Sequence, residues 1–234
     1  FIVAAMYGVL AVLLVWRKLP DTLPAERRTR VGLAAVLIRY VTISRERAFI
    51  THAAVGAFTS AALFAYLSAT PQIFIGGYGW NTAEYAALFG LNAIAYIGYN
   101  QMNPALVNRF GIGPVIVFAV SVLVMSCLIL VALTLHPIGP LGVMVALLMS
   151  EIGFGLINPC AMVGALSRHQ AHAGSASALL GTMQYTGGAI AGLTMGVLGN
   201  NTVGPMAVAM LACALAAAAA AWARPPLIFS PVEN

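Results

Sequence analysis

The sequence predicts an all-α membrane protein with about seven spans. Hydrophobic residues make up 61% of the 234 positions and charged residues only 7%, too few to cover a water-facing surface. The apolar stretches do not alternate with the period of two that membrane β-strands show, so they are predicted to be helices. The same composition disfavours a soluble enzyme, a nucleic-acid-binding module and a disordered chain.

Seven apolar stretches follow one another along the chain. They cover residues 1–16, 49–70, 82–103, 112–135, 139–166, 173–198 and 203–222. All but the first reach the roughly 20 residues that a helix needs to cross a bilayer. In the first stretch, the basic residues Arg17 and Lys18 follow the apolar run. In a signal peptide the positive charge precedes the apolar run, so this stretch has the opposite order. We therefore expect it to be the end of a membrane helix and the chain to be a fragment of a longer protein.

The residues between the stretches favour the same division. Pro71 follows the second stretch, and Asn81 is placed to cap the start of the third. Glu84, at the outer end of this stretch, is expected to be an interfacial charge or to stabilise the same helix start. Gly111 opens the fourth stretch, and Pro225 follows the last.

All eleven Lys and Arg residues lie in alternate connections. Eight fall within residues 17–47, and the others are Arg109, Arg168 and Arg224. Because basic loops are retained in the cytoplasm, this side is predicted to be cytoplasmic. The net charge of +5 is thus explained by topology, and no nucleic-acid partner is needed. We predict a helix end (1–16), a basic, partly helical cytoplasmic linker (17–47), a six-helix bundle (48–224) and a cytoplasmic tail (225–234).

Five short motifs, in order and at consistent positions, resemble one transporter family. They are Leu-Pro-Asp-Thr-Leu at 19–23, Phe-Ala-Tyr-Leu-Ser-Ala-Thr-Pro at 64–71, Asn-Arg-Phe-Gly at 108–111, Gly-Leu-Ile-Asn-Pro at 155–159 and Ala-Gly-Ser-Ala-Ser-Ala-Leu at 173–179. The set resembles the Bcr/CflA drug-resistance group of drug:proton antiporters within the major facilitator superfamily, over the C-terminal half of such a protein.

This resemblance implies a fold, an activity and partners. The fold would be the C-terminal six-helix bundle of that superfamily plus the end of the preceding helix. The activity would be export of drugs or small amphipathic metabolites by alternating access, driven by proton entry, in a bacterial inner membrane. The partners would be the substrate, protons, the bilayer and the missing N-terminal half, with a binding site near the midplane between the halves.

Glu151 is the most informative single residue. It falls near the middle of the fifth stretch, where a charge costs about 3 kcal/mol. One reading is a proton or cationic-substrate site, and the other is a structural carboxyl bonded to a neighbouring helix. Gly155, Asn158 and Met162 share its helical face, which predicts a cavity wall.

A polar stripe follows one face of the third stretch. Its members are Tyr85, Asn92, Tyr96, Tyr99 and Asn103. Lipid tolerates such a stripe poorly, so it is expected to face protein or water. The stripe would line a central pore or form interhelical hydrogen bonds. We favour the pore for Asn92 near mid-depth and the hydrogen bond for Asn103, and we include Tyr96 in the substrate or proton pathway.

Four further residues are candidates for the transport pathway. Phe64 and Tyr66 on the second stretch would stack on an aromatic drug or pack against a helix, and Gln184 and Tyr185 are the polar candidates on the sixth. The glycines at 188, 192 and 196 predict close helix packing.

The histidines and the remaining motifs point to no catalytic chemistry. His52, His169 and His172 lie near the cytoplasmic side, and we expect them to be solvated. The last two are three residues apart, but no further metal ligand is near, so neither metal nor cofactor is expected. No nucleotide-binding, zinc-protease or serine-hydrolase motif occurs, so no enzyme is predicted. The alternative to a transporter is a seven-span receptor or sensor.

Overall fold

The computed structural model describes residues 2–18, 32–136, 139–169 and 172–225. The chain divides into two compact units, Phe1–Leu37 and Ile38–Asn234. The first unit contains helix α1 (Ile2–Lys18), which carries both basic residues of its sequence in the last turn. Helix α2 (Leu33–Arg45) runs across the division between the units. The motif at 19–23 lies outside the described residues.

The second unit is a bundle of six long helices, and every regular element in the described ranges is helical. The helices are α3 (Arg47–Pro71), α4 (Thr82–Phe110), α5 (Ile112–Leu135), α6 (Pro140–Leu166), α7 (Ala173–Leu198) and α8 (Val203–Trp222). A single π-helical turn, Gln72–Gly77, extends α3. The all-α fold predicted from composition and periodicity is confirmed.

Two predicted helix ends are wrong, and both involve proline. Pro71 was expected to stop its helix, but α3 contains it and continues into the π-helical turn. The third stretch was expected to end at Asn103, but α4 runs through Pro104 to Phe110. Proline is tolerated within membrane helices because neighbouring helices and local π geometry satisfy the freed backbone groups.

Four helices of the described chain are long and apolar enough to cross a membrane. They are Arg47–Gly77, Ile112–Leu135, Pro140–Leu166 and Val203–Trp222. Helices α4 and α7 have 29 and 26 residues, so length does not limit them. Their polar side chains and glycines lower their hydropathy, and their assignment as spans remains a prediction.

The connections are built from capping residues and glycine. The Asn81 side chain accepts hydrogen bonds from the backbone N–H groups of Ala83 and Glu84, and Glu84 accepts one from the Asn81 backbone. This capping box confirms both predicted roles. Gly111 separates α4 from α5 with a φ of 83°, a conformation that a side chain would strain.

The bundle core lies where α3, α5, α6 and α8 meet. Helix α3 packs against α6, α7 and α8, and α5 packs against α6 and α8. Fully buried side chains such as Leu123, Phe154, Ile157 and Met206 fill the space between them. Helix α4 packs mainly against α6.

Candidate functional site

A cavity of about 220 Å³ lies between α3, α4 and α6. It is lined by Leu63, Tyr66, Leu67, Phe89, Asn92, Ala93, Tyr96 and Glu151. Four of the eight residues predicted from the sequence are therefore brought together here, from three different helices. The rest of the lining is apolar, so the polar atoms of the cavity come from these four side chains.

Glu151 supplies the only acidic group of the cavity lining, and no basic side chain lines it. The residue lies near the middle of α6 and is 2% exposed. An ionised carboxylate in such surroundings is unfavourable unless a cation or several hydrogen-bond donors compensate it. The cavity is therefore chemically suited to neutralise this carboxyl with a proton or with a positively charged ligand.

Asn92 faces the same cavity with its hydrogen-bonding capacity unused. The residue is 2% exposed, and neither its Oδ1 nor its Nδ2 atom has a partner among the described residues. A buried polar group without a partner costs about 1–3 kcal/mol. An amide in this position can both donate to and accept from a molecule that enters the cavity.

Close packing of α4 on α6 positions the two walls that carry Asn92 and Glu151. At Gly155, an added Cβ atom would lie 2.8 Å from the Tyr99 Cβ atom and 2.9 Å from the Tyr96 carbonyl oxygen. Glycine thus lets the two backbones approach one turn beyond Glu151. Gly155, predicted as part of the cavity wall, does not line the cavity and is instead a point of close approach between these helices.

Helix α3 contacts both of the other helices that line the cavity. The Tyr66 ring stacks on Phe154 of α6, with 6.5 Å between centroids and 25° between planes. One turn further along α3, the Thr70 and Tyr85 hydroxyls lie 3.1 Å apart in a hydrogen bond. These contacts hold the Tyr66 ring against α6 and bring α3 to α4.

Three predicted pathway residues lie elsewhere, where α3 packs on α7. Phe64 meets Tyr185 edge to face, with 6.4 Å between centroids, and its ring also covers Gly188. The Gln184 side chain packs over Gly56. Tyr185 is 70% exposed. These residues form a second surface rather than part of the cavity.

Asn158 does not line the cavity either. It is half-buried, and its Oδ1 atom is buried without a hydrogen-bond partner among the described residues. Met162, expected on the same wall, is 51% exposed. The face of α6 that begins at Glu151 therefore lines the cavity only at Glu151.

The predicted solvation of two histidines is wrong. His52 is 1% exposed, its Nδ1–H donates to the Ala48 carbonyl oxygen at 2.8 Å, and its ring packs against Gly164. His169 is also enclosed, because its Nε2 atom lies 2.6 Å from Glu46 Oε2. The distant residues Gly164, beside His52, and Glu46, beside His169, account for this burial, and spacing along the chain does not reveal them. Within the described ranges, no cluster of three or more His, Cys, Asp or Glu side chains is placed to hold a metal.

The fold and the cavity define a helical membrane protein of several spans with a buried carboxyl inside its bundle. A family model described as Major Facilitator Superfamily matches residues 1–192. The chain belongs to the major facilitator superfamily of transporters, and the family predicted from the sequence motifs is confirmed.

The relatives include drug-resistance proteins. A bicyclomycin resistance protein homolog of Haemophilus influenzae is 26% identical over 91% of this chain and 54% of its own length. An uncharacterized MFS-type transporter of Bacillus subtilis, YdgK, is 29% identical over 92% of this chain and 53% of its own length. The multidrug resistance protein MdtL of Shewanella oneidensis is 29% identical over 58% of this chain and 34% of its own length. The chain spans about half the length of the first two relatives, and their names agree with the predicted Bcr/CflA-type group.

Proposed function

We propose that the protein containing this chain exports drugs or small amphipathic metabolites across a bacterial inner membrane by alternating access, with proton entry as the driving force. The single observation that carries the proposal is Glu151, a buried carboxyl in a cavity lined by no basic residue. Membership of a transporter family and the names of two relatives support export of drugs.

In this proposal the polar and aromatic residues of the cavity have different roles. Glu151 takes up and releases the proton, because its charged form is stable only while a partner is present. Asn92 hydrogen-bonds to the substrate, and Tyr66 and Tyr96 provide aromatic surface. Alternating access then requires that the cavity open in turn to the two sides of the membrane.

The second surface, on α3 and α7, is proposed to extend the pathway. Phe64 and Tyr185 present an aromatic pair, and Gln184 lies one residue before Tyr185. Asn158 adds an amide oxygen without a partner on α6. We place these four residues along the substrate route outside the cavity itself.

The topology proposed with this function puts the basic linker and the C-terminal tail in the cytoplasm. Among the described basic residues, Arg45, Arg109, Arg168 and Arg224 each lie at or beyond a helix end. Retention of basic connections on the cytoplasmic side supports this orientation. The bundle at 48–224 and the linker at 17–47 are kept as the proposed domains.

Growth of an efflux-deficient bacterial host that expresses the full-length protein tests the proposal. We expect resistance to at least one compound in a panel of drugs, and loss of that resistance in Glu151→Gln at equal membrane expression. A panel without any resistance from the unmodified protein would contradict drug export. Resistance that persists in Glu151→Gln would remove Glu151 from the mechanism while leaving transport intact.

A further inference from the structure

We infer that a groove between the end of α4 and the start of α5 binds an anionic phospholipid, with Arg109 on the headgroup phosphate and an acyl chain in the groove. This α4–α5 groove shares no lining residue with the cavity that contains Glu151. The inference goes beyond the proposed function, because it concerns a lipid ligand and holds whatever compound the protein transports.

The α4–α5 groove is a gap that the two helices leave open. Its volume is about 370 Å³. The lining residues are Leu106, Phe110, Pro114, Val115 and Phe118. Only Gly111 joins the helices, and beyond it they make few contacts with each other, because α5 packs on α6 and α8. None of the lining side chains is polar, so the groove offers water no side-chain hydrogen bond and favours an apolar occupant.

The groove opens on a face of α5 that is suited to lipid. Phe118 and Met125 are both more than half exposed, and their spacing of seven residues places them on one helix face. The Ser121 hydroxyl between them donates to the Val117 carbonyl oxygen of its own helix at 2.8 Å. An apolar strip of this kind is stable beside acyl chains, and it is continuous with the groove at Phe118.

Arg109 supplies a positive charge at the edge of the groove. Its guanidinium carbon lies 5.2 Å from the centre of the Phe110 ring, which lines the groove. A contact with a ring face does not occupy the guanidinium N–H donors in hydrogen bonds to oxygen. Within the described residues, the ion pairs to Glu46 come from Arg168 and His169 and not from Arg109. The Arg109 side chain therefore has donors to offer to an anion.

The length of α4 places this charge at the level of lipid headgroups. The helix has 29 residues and is about 43 Å long, whereas the hydrocarbon core of a bilayer is about 30 Å thick. With the helix centred in the bilayer, its penultimate residue, Arg109, lies about 20 Å from the midplane. Phe118 lies further into α5, on the hydrocarbon side of Arg109. A phosphate at Arg109 and a chain beside Phe118 are thus arranged as they are in one phospholipid.

The charge at the edge of the groove favours an anionic lipid over a zwitterionic one. Arginine donates two parallel hydrogen bonds to a phosphate group, which fixes the headgroup as well as attracting it. In a zwitterionic headgroup, the ammonium group lies close to the phosphate and is repelled by the same guanidinium. The net attraction is therefore stronger for a headgroup without a positive charge.

Site-specific crosslinking of the purified full-length protein in lipid nanodiscs tests the inference. The probes are phosphatidylglycerol and phosphatidylcholine with the same photoreactive acyl chain, each at a low fraction of the lipid. The readout is the crosslink yield within residues 106–118, mapped by peptide mass spectrometry. We expect the phosphatidylglycerol yield to exceed the phosphatidylcholine yield about fivefold, the contribution of one basic residue near a membrane surface.

Two pairs of variants separate the charge from the groove. Arg109→Gln should lower the phosphatidylglycerol yield about fivefold and change the phosphatidylcholine yield less than about twofold. Arg168→Gln removes a basic residue at another helix end and should change neither yield. Leu106→Trp fills the groove and should lower both yields, whereas Met125→Trp adds similar bulk outside it and should lower neither.

Equal yields for the two probes in the unmodified protein would overturn the inference, as would an unchanged phosphatidylglycerol yield in Arg109→Gln. An equal loss in Arg168→Gln would also overturn it, because the effect would then be one of general surface charge. If no crosslink forms within residues 106–118, another part of the full-length protein covers the groove and the inference is wrong.

Discussion

The side-chain amide of Asn103 on α4 donates a hydrogen bond to the backbone carbonyl of Leu156 on α6, with 2.8 Å between Nδ2 and O. The same nitrogen lies 3.2 Å from the Cys160 Sγ atom. Leu156 directly follows Gly155, where the two helices approach closely. The cavity therefore depends on a packed and hydrogen-bonded crossing of α4 and α6 just beyond Glu151.

Loss of this hydrogen bond should lower stability by a modest amount. Asn103→Ala is expected to cost about 0.6 kcal/mol, and at most about 1.7 kcal/mol, in the free energy of unfolding, because interhelical hydrogen bonds in membranes are weak. Unfolding by denaturing detergent in mixed micelles measures this change. Asn108→Ala, at an exposed position of the same helix, is the control and should be neutral. Equal effects of the two variants would contradict a specific role for Asn103.

The close approach at Gly155 should not tolerate a methyl group. An added Cβ atom at Gly155 would lie 3.1 Å from the Asn100 backbone nitrogen as well as close to Tyr96 and Tyr99, and backbone atoms cannot rotate away. Gly155→Ala is expected to cost about 1–3 kcal/mol in the free energy of unfolding and to weaken ligand binding in the cavity. Gly98→Ala is the matched control, since nothing lies within 4 Å of its Cβ position. A Gly155→Ala protein as stable as the Gly98→Ala protein would refute this packing.

Removal of the helix cap should destabilise the start of α4. In Asn81→Ala, the backbone N–H groups of Ala83 and Glu84 lose their side-chain acceptor, at 2.9 Å for each. The expected cost is about 0.5–2 kcal/mol, visible as faster amide hydrogen exchange in the first turn. Glu84→Gln should have little effect on this exchange, because glutamine can also complete a capping box. Unchanged exchange in Asn81→Ala would show that the cap contributes nothing.

The proposed topology predicts opposite labelling of two connections. Asn200→Cys lies in the exposed connection between α7 and α8, and Arg45→Cys lies at the exposed end of α2. A membrane-impermeant maleimide should label Asn200→Cys in intact cells and Arg45→Cys only after permeabilisation. The unmodified protein, whose Cys127 and Cys160 are buried, gives the background. The reverse pattern would invert the proposed orientation.

Most of the fold could be predicted because the apolar runs end at strong local signals. The bounds of α5, α7 and α8 agree with the sequence prediction residue for residue. The errors fall at Pro71 and Pro104, since a proline's effect on a membrane helix depends on whether neighbouring helices satisfy the backbone. The π-helical turn at Gln72–Gly77 carries no sequence signal that we recognised.

Only some residues of the candidate site could be predicted, namely those whose position on a single helix is enough to place them in the cavity. Spacing along α4 places Asn92 and Tyr96 on one side, and mid-helix position singles out Glu151 on α6. Spacing does not show which helix a face meets, so Gln184 and Tyr185 were predicted for the same pathway as Glu151, whose cavity they do not line. The burial of His52 depends on Gly164, which lies more than a hundred residues further along the chain.

The most direct test of the account is transport by the purified full-length protein in proteoliposomes under an imposed pH gradient. The substrate would be a compound to which the protein confers resistance. We predict that acid-loaded vesicles accumulate the compound, that collapse of the gradient abolishes accumulation, and that Glu151→Gln vesicles do not respond to the gradient. Accumulation that ignores the gradient, or that is the same for Glu151→Gln and the unmodified protein, would contradict proton-driven export through this carboxyl.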